Sequence, residues 1–382
     1  MNESVMTLLQ VCFRDAVGIR PPTADLRVHL QETINWLCRA QDVSGGGGVA
    51  RSYGLRASRS FGKPGWISAY PETTGYIIPT FLDYASFTGD QTYRERALRM
   101  AQWEIDVQME SGAVQGGIID FPPSPAVFNT GQVLFGWARA HQETSEGQFL
   151  SAMQRAGDFL VTAQDPDGAW RRGGSRYARQ GVNLYDARTA WGLLEASLIT
   201  QDTRHRETAI RNLDFVCSQQ HANGWFPDCC LDDNERPLLH TLAYTAEGLI
   251  GAGMLLQEQR YIMAAQRPAD ALLSRQRADG SLAGQFDKEW HSTTSWSCLT
   301  GDAQTSIVWL HLFHVTKEEK YLRAAKRMNQ FLMGTQDLRS RNLGVRGGIK
   351  GSHPIWGDYG SFEYLNWAAK FFADALLLEA RL

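Results

Sequence analysis

Four carboxylates, Glu72, Asp186, Glu247 and Asp302, stand at or just inside the openings of apolar segments that lie far apart in the chain. Two such groups facing each other across a pit would suit general acid and base roles. Glu247 makes the strongest demand on its surroundings, because Ala243-Tyr244-Thr245-Ala246-Glu247-Gly248-Leu249 sets it inside an apolar helix. A carboxyl buried there needs a partner or a raised pKa. Asp186 and Asp302 serve equally well as helix caps, and Glu72, after Pro71, suits either part. Tyr70, Tyr185, Tyr244 and Tyr364 cluster at the same kind of opening, with packing as the alternative for any single one. A phenol there can donate to a leaving oxygen or, ionised, take a proton from carbon. His240 is the best-placed imidazole, and Asn129, Arg188 and Gln304 complete the polar set.

The long segments that precede these openings carry Trp66, Trp170, Trp225, Trp290, Trp296 and Trp356 beside Arg51, Arg171, Arg172, Arg176 and Arg346. Indole faces are surfaces on which sugar rings stack, and guanidinium forks grip carboxylates or sulfates. Together they imply an extended, hydroxyl-rich and acidic ligand. Trp170 and Trp225, each just after a glycine of the repeat described next, read better as wedges between repeats.

A recurring mark shows what must position these residues. Gln108, Gln164, Gln220 and Gln276 follow one another at intervals of 56 residues, and each is followed four residues later by Gly112, Gly168, Gly224 or Gly280. Gln41 and Gln336 extend the series with looser spacing. A period of this size signals a repeat array. Each repeat resolves into an amphipathic helix ending at the glutamine and a second helix, such as 74–87 or 189–199, that is apolar on nearly all faces and therefore buried. Connections from the second helix to the next first helix are short (Thr88-Gly89-Asp90-Gln91), whereas the opposite connections are long, so the long ones crowd onto one face. The second helices open on Thr, Asp, Asn or Glu, residue types that cap orphan N–H groups. Six hairpins predict an all-α fold, an (α/α)6 toroid with a central pit, built as one domain over 1–382. An open superhelix is the alternative.

Composition narrows the function. The formal net charge is −3, without the basic footprint of a nucleic-acid binder. No apolar run reaches the roughly 20 residues of a membrane span, and Met1-Asn2-Glu3-Ser4-Val5 lacks the pattern of a signal peptide, so a cytoplasmic location is expected. The six cysteines form no disulfide-scaffold pattern. Cys217, His221, Cys229, Cys230 and His240 offer zinc-type ligands, but their spacing fits no standard ligand pair and no cofactor or metal is expected.

Gln164-Asp165-Pro166-Asp167-Gly168-Ala169-Trp170 resembles the QW-type repeat of the squalene cyclase and prenyltransferase superfamily. The DxDD acid of class II cyclases has no counterpart: Asp232-Asp233-Asn234 and Tyr185-Asp186-Ala187-Arg188 both depart from it. The stretch 65–76, containing Tyr70-Pro71-Glu72-Thr73-Thr74-Gly75, and the stretch from Gly347 to Trp367 resemble toroid proteins of bacterial surface and exopolysaccharide gene clusters. The chain is also similar to six-hairpin glycosidases, polysaccharide lyases and uronyl epimerases. The resemblance implies a carbohydrate-active enzyme acting on an acidic, uronate-containing bacterial polysaccharide or oligosaccharide, by hydrolysis or β-elimination. For hydrolysis the expected pair is Glu247 with Glu72 or Asp186. For elimination or epimerisation Tyr244 or His240 would take the proton, with Arg188 or Asn129 neutralising the carboxylate. Tyr70, Tyr185, Trp66, Asp302, Gln304, Trp356, Tyr364 and Arg346 are expected around the substrate. An isoprenoid cyclase or prenyltransferase-like enzyme and a non-catalytic glycan-binding scaffold are the alternatives.

Overall fold

The computed structural model describes residues 3–21, 23–57, 61–178 and 180–382. After an N-terminal helix α1 (Glu3–Ala16), outer and inner helices alternate. They are α2 (Leu26–Asp42), α3 (Pro71–Thr88), α4 (Gln91–Asp106), α5 (Val127–Thr144), α6 (Gly147–Ala163), α7 (Ala187–Thr200), α8 (Thr203–Ser218), α9 (Leu239–Leu256), α10 (Gln259–Leu273), α11 (Leu299–Thr316), α12 (Glu319–Met333) and α13 (Asn366–Ala380). The even-numbered helices form the outer ring and the odd-numbered helices from α3 to α13 the inner one. Outer helices bury one stripe, as α4 does with Ala97, Met100 and Ala101, while α9 buries Leu239 to Gly253 without a break. Helix α1 falls outside the six hairpins that the repeat predicts. It lies against the last long loop, where Lys350 Nζ donates to both oxygens of Asp15 at 2.7 Å.

The glutamine mark is a joint between neighbouring outer helices. Gln164 Nε2 donates to Gly168 O of its own loop (3.1 Å) and to Thr208 O of the next outer helix (2.8 Å). Gln41, Gln108, Gln220 and Gln276 repeat the arrangement with Arg96, Ala152, Ala264 and Ala324. The glycine is required twice over. At Gly168 φ is +94°, and a Cβ there would come within 2.5 Å of Arg211 O. The sixth joint crosses the seam of the chain: Gln336 Nε2 donates to Gly347 O (2.7 Å) and to Thr33 Oγ1 of α2 (2.8 Å). An open superhelix would leave Gln336 facing solvent. Its bonds to α2, with Ser52–Gly54 paired antiparallel to Glu363–Leu365, close the ring.

The inner helices do not begin as their sequences suggest. Asp25, Asp90 and Asp202 cap the outer helices α2, α4 and α8, whereas α3, α5, α9, α11 and α13 have no side-chain cap. Their polar openings latch the incoming loops instead. Thr74 and Thr130, each fourth in its helix, accept from Val49 N and Val114 N at 2.9 Å, and Asp302, fourth in α11, accepts from Leu282 N at 3.2 Å. Asp302 is therefore a latch.

Because all six inner helices run the same way, residues at matching positions form layers down the axis. The second residues are Glu72, Phe128, Arg188, His240, Thr300 and Trp367; the sixth are Tyr76, Gln132, Gly192, Tyr244, Gln304 and Phe371; the ninth are Pro79, Phe135, Glu195, Glu247, Ile307 and Asp374. Steps of four and three residues return to one face of an α-helix, so each helix turns this set toward the axis.

Candidate active site

The first layer and the long loops enclose a pit of about 520 Å³ at the loop face, lined by Glu72, His240, Trp367, Tyr70, Tyr185 and Tyr244, with Arg51, Tyr177 and Tyr359 descending from the loops. Glu72 is 8% exposed and accepts a short hydrogen bond from the Tyr70 hydroxyl, which in turn accepts from Asn129 Nδ2 at 3.3 Å. Burial raises the Glu72 carboxyl to about 7, although the Tyr70 hydrogen bond and the more distant Arg188 and Arg51 pull the other way.

His240 has a different support. Gln304 Nε2 donates to Glu247 Oε2 at 2.8 Å, which turns Gln304 Oε1 toward His240 Nδ1 at 2.6 Å. A carbonyl oxygen only accepts, so Nδ1 carries the proton and Nε2 is left with the lone pair. Burial lowers the imidazole to about 4, against the Gln304 hydrogen bond. The ring lies 4.3 Å from that of Tyr244 and 5.4 Å from that of Tyr359. The pit thus holds a neutral base of fixed tautomer and a carboxyl poised near neutrality.

Below the pit the axis is plugged. Arg188 reaches down from the first layer, its Nε 3.3 Å from Glu247 Oε2, and its guanidinium is ringed by Tyr76, Phe135, Tyr244 and Phe371 at 5.0–5.3 Å. Glu247, two turns deeper than Glu72, faces this plug. Burial raises its pKa while Arg188 and Lys370 lower it. Asp186 is buried at the start of α7, with Thr189 Oγ1 at 3.3 Å as its partner and a carboxyl raised by burial to about 8; it does not line the pit.

The remaining expected residues divide. Tyr70, Tyr185, Tyr244 and His240 line the pit, Asn129 stands behind Tyr70, and Gln304 stands behind His240. Trp66 packs at 5.1 Å from Trp36 and 5.2 Å from Tyr53 in the small loop sheet. Tyr364 pairs with Tyr53 in that sheet, Arg346 sits beside Glu32 at 3.4 Å on the outer ring, and Trp356 is 43% exposed on the last loop. Those four stay out of the pit. Cys229 and Cys230 do not join His240 in a metal-binding group among the described residues, and Cys229 Sγ lies 3.1 Å from Thr245 Oγ1.

Sequence reasoning left out Trp367, Tyr177 and Tyr359 and named Arg51 only among the loop arginines that could grip an acidic ligand. Trp367 Nε1 donates to Tyr359 Oη at 2.8 Å, which fixes an indole wall, and the Arg51 guanidinium lies 4.8 Å from that indole. Trp367 shares the second position of its helix with Glu72 and His240, and that register is the signal that finds it.

No family model and no curated protein matches the sequence. Solved structures do. An unsaturated glucuronyl hydrolase specific for heparin superposes with a TM-score of 0.74 at 16% identity, covering 93% of this chain and 97% of that one. The unsaturated glucuronyl hydrolase of Bacillus sp. GL1, described as responsible for the degradation of glycosaminoglycan, gives 0.72 at 15% identity over 92% and 96%. A D-mannose isomerase gives 0.69 at 14% identity over 93% and 97%. These likenesses over nearly whole chains show the fold, an (α/α)6 toroid of helical hairpins.

Proposed function

We propose that this protein is a carbohydrate-active enzyme acting on a uronate-containing oligosaccharide, with Glu72 as the general acid and His240 as the general base. One observation carries the reading: the two side chains line the same pit, one a carboxyl raised to about 7 and the other an imidazole lowered to about 4 with its lone pair on Nε2. Trp367 offers a face for a sugar ring, and Arg51, the one lysine or arginine among the described residues lining the pit, is paired through Nη1 with Glu363 at 2.5 Å but has no partner at Nε, so a uronate carboxylate has to share this guanidinium with Glu363. The glucuronyl hydrolases of the same fold support the substrate class. Reaction at this site delivers the Glu72 proton to the glycosidic oxygen as its bond to C1 breaks, while His240 Nε2 takes a proton from the attacking water.

A second reading, β-elimination, is favoured by the absence of a second buried carboxylate among the described lining residues. Here His240 takes the proton α to the uronate carboxylate, and Glu72 again protonates the departing oxygen. The roles are the same and the products differ. Incubation with oligosaccharides containing 4-linked uronate residues, following new reducing ends and the absorbance of a C4=C5 double bond, separates them. Reducing ends without added absorbance mark hydrolysis, and ends with it mark elimination. If neither appears with any uronate substrate, or if Glu72→Gln and His240→Gln both turn over like the wild type, the proposal fails.

A further inference from the structure

The axis holds a second cavity, of about 240 Å³, on the far side of the Arg188 plug. It opens at the short-loop face, shares no lining residue with the pit, and is built from the ninth-position layer and the turn beneath it. We infer that this rear funnel is a binding site for a single neutral sugar or other cyclic polyol.

Charge argues for a neutral occupant. The rear cations all face a carboxylate already: Arg188 has Glu247 at 3.3 Å, Lys370 has Asp374 at 2.5 Å, and Arg139 and Arg381 share Asp83 at 3.3 Å and 3.9 Å. The funnel is also formed by the C-terminal halves of the inner helices, whose dipoles oppose an anion. An acidic ligand would find no uncompensated cation on the floor.

Hydrogen-bonding capacity argues for hydroxyls. His311 has no hydrogen-bond partner among the described residues, and burial holds its imidazole down to about 4, so it offers one donor and one acceptor. Glu195 takes one bond from Trp191 Nε1 at 3.0 Å and keeps acceptor capacity for another. A lining that mixes donors and acceptors, with four carboxylates matched by four lysines and arginines, is what alcohol groups satisfy, each being donor and acceptor at once.

Size and shape fit one ring. The volume equals that of about eight waters, below that of a drug-sized site and close to that of a pyranose with its hydroxyls. Phe135 and Trp191, 4.7 Å apart centre to centre, form an aromatic wall on one side. Entry is open at the rim, where Arg139, Asp83 and Arg381 are 33%, 34% and 42% exposed.

The test is a binding measurement, which does not depend on turnover at the pit. The full chain is titrated calorimetrically with D-glucose, D-mannose and myo-inositol, and with glucuronate as the charged comparison. At least one neutral polyol is expected to saturate a single site in the millimolar range. Leu378→Trp, which fills the funnel from its wall, should weaken that binding by about tenfold or more. Glu195→Gln, which preserves shape, should weaken it several-fold, and His240→Gln at the pit should leave it within about twofold. The inference is overturned if no neutral polyol saturates, if His240→Gln abolishes binding while Leu378→Trp spares it, or if glucuronate binds the funnel more tightly than the neutral compounds.

Discussion

Gln304 touches no substrate in this reading, yet it sets which nitrogen of His240 can accept a proton. In Gln304→Met a chain of similar length remains, but both amide bonds are gone: the 2.6 Å bond from His240 Nδ1 and the 2.8 Å bond to Glu247. A neutral hydrogen bond is worth about 0.5–1.5 kcal/mol net, so releasing the tautomer and the ring corresponds to roughly a 2- to 13-fold loss of rate. Glu247 Oε2 keeps Arg188 at 3.3 Å but loses its amide donor, and a hydrogen bond to a charged group is worth about 1.5–3 kcal/mol, visible as a lowered melting temperature with the helical spectrum intact. The pH profile carries the sharper signature. Activity needs His240 unprotonated, above about 4, and Glu72 protonated, below about 7, giving a bell between those limbs. Gln304 raises the His240 pKa, so Gln304→Met should move the acid limb lower still. Gln304→Glu sets a carboxylate against Nδ1 and should move it up. Steady-state kcat/KM from pH 3 to 9 on the best uronate substrate reads both shifts. An acid limb that stays put in both variants, or full wild-type rate in Gln304→Met, would refute the relay.

Glu72→Gln should cost about 10²–10⁴-fold in kcat, and the limb near pH 7 should disappear from whatever activity remains; persistence of that limb would assign it elsewhere. Gly168→Ala, at φ +94° with a backbone oxygen 2.5 Å from the new Cβ, should lose about 2–5 kcal/mol from combined left-handed strain and overpacking. Gly89→Ala, at φ +79° in open space, should lose about 1–2 kcal/mol, so equal melting temperatures would contradict the joint. Asp15→Asn should free Lys350, which is buried, at about 3–5 kcal/mol, detected as faster hydrogen exchange in α1 and the last long loop. Burial raises the Asp15 carboxyl, but the His353 hydrogen bond and Lys350 outweigh it and hold it at about 2. Its contribution is therefore complete above its ordinary pKa near 4 and is lost as pH falls through about 2; fraying that sets in only above neutral pH would point to another contact.

The fold was legible because its signals are local. The glutamine and glycine of each joint sit four residues apart, and the all-round apolar character of α9 or α11 is visible without any tertiary information. Helix α1 escaped because it belongs to no repeat: it is held by Asp15 against Lys350, a pairing across 335 residues. The capping expectation failed for a related reason. Thr74, Thr130 and Asp302 look like helix starts in sequence, but the neighbouring loop delivers a backbone N–H to each, so tertiary structure claims the oxygen that a cap would use. The reacting groups were harder to sort because burial alone does not say how deep a residue lies. Glu247 attracted attention as a carboxyl in an apolar helix, yet at the ninth position it meets Arg188 and Gln304 below the pit. Counting from the helix openings would have shown Glu72, His240 and Trp367 at one depth.

That shared depth has a chemical consequence. In water a glutamate ionises near 4.3 and a histidine near 6.5, so between those values the pair would be carboxylate and imidazolium, with each proton on the wrong partner for the roles proposed. Moving both into the same dry pit inverts the order, because burial penalises the charged form of each: Glu72 rises to about 7 and His240 falls to about 4. The inversion survives only while no strong counter-charge touches either group. Tyr70 meets Glu72 as a neutral donor, Gln304 meets His240 as a neutral acceptor, and Arg188, whose charge acts on both, is held down against Glu247 inside its aromatic ring. On this account Glu247 serves the chemistry by occupying Arg188. Removing its charge in Glu247→Gln should release Arg188 toward the pit, lower the Glu72 pKa and draw the alkaline limb of activity down from pH 7; a loss of rate with that limb unmoved would show that Glu247 acts in some other way.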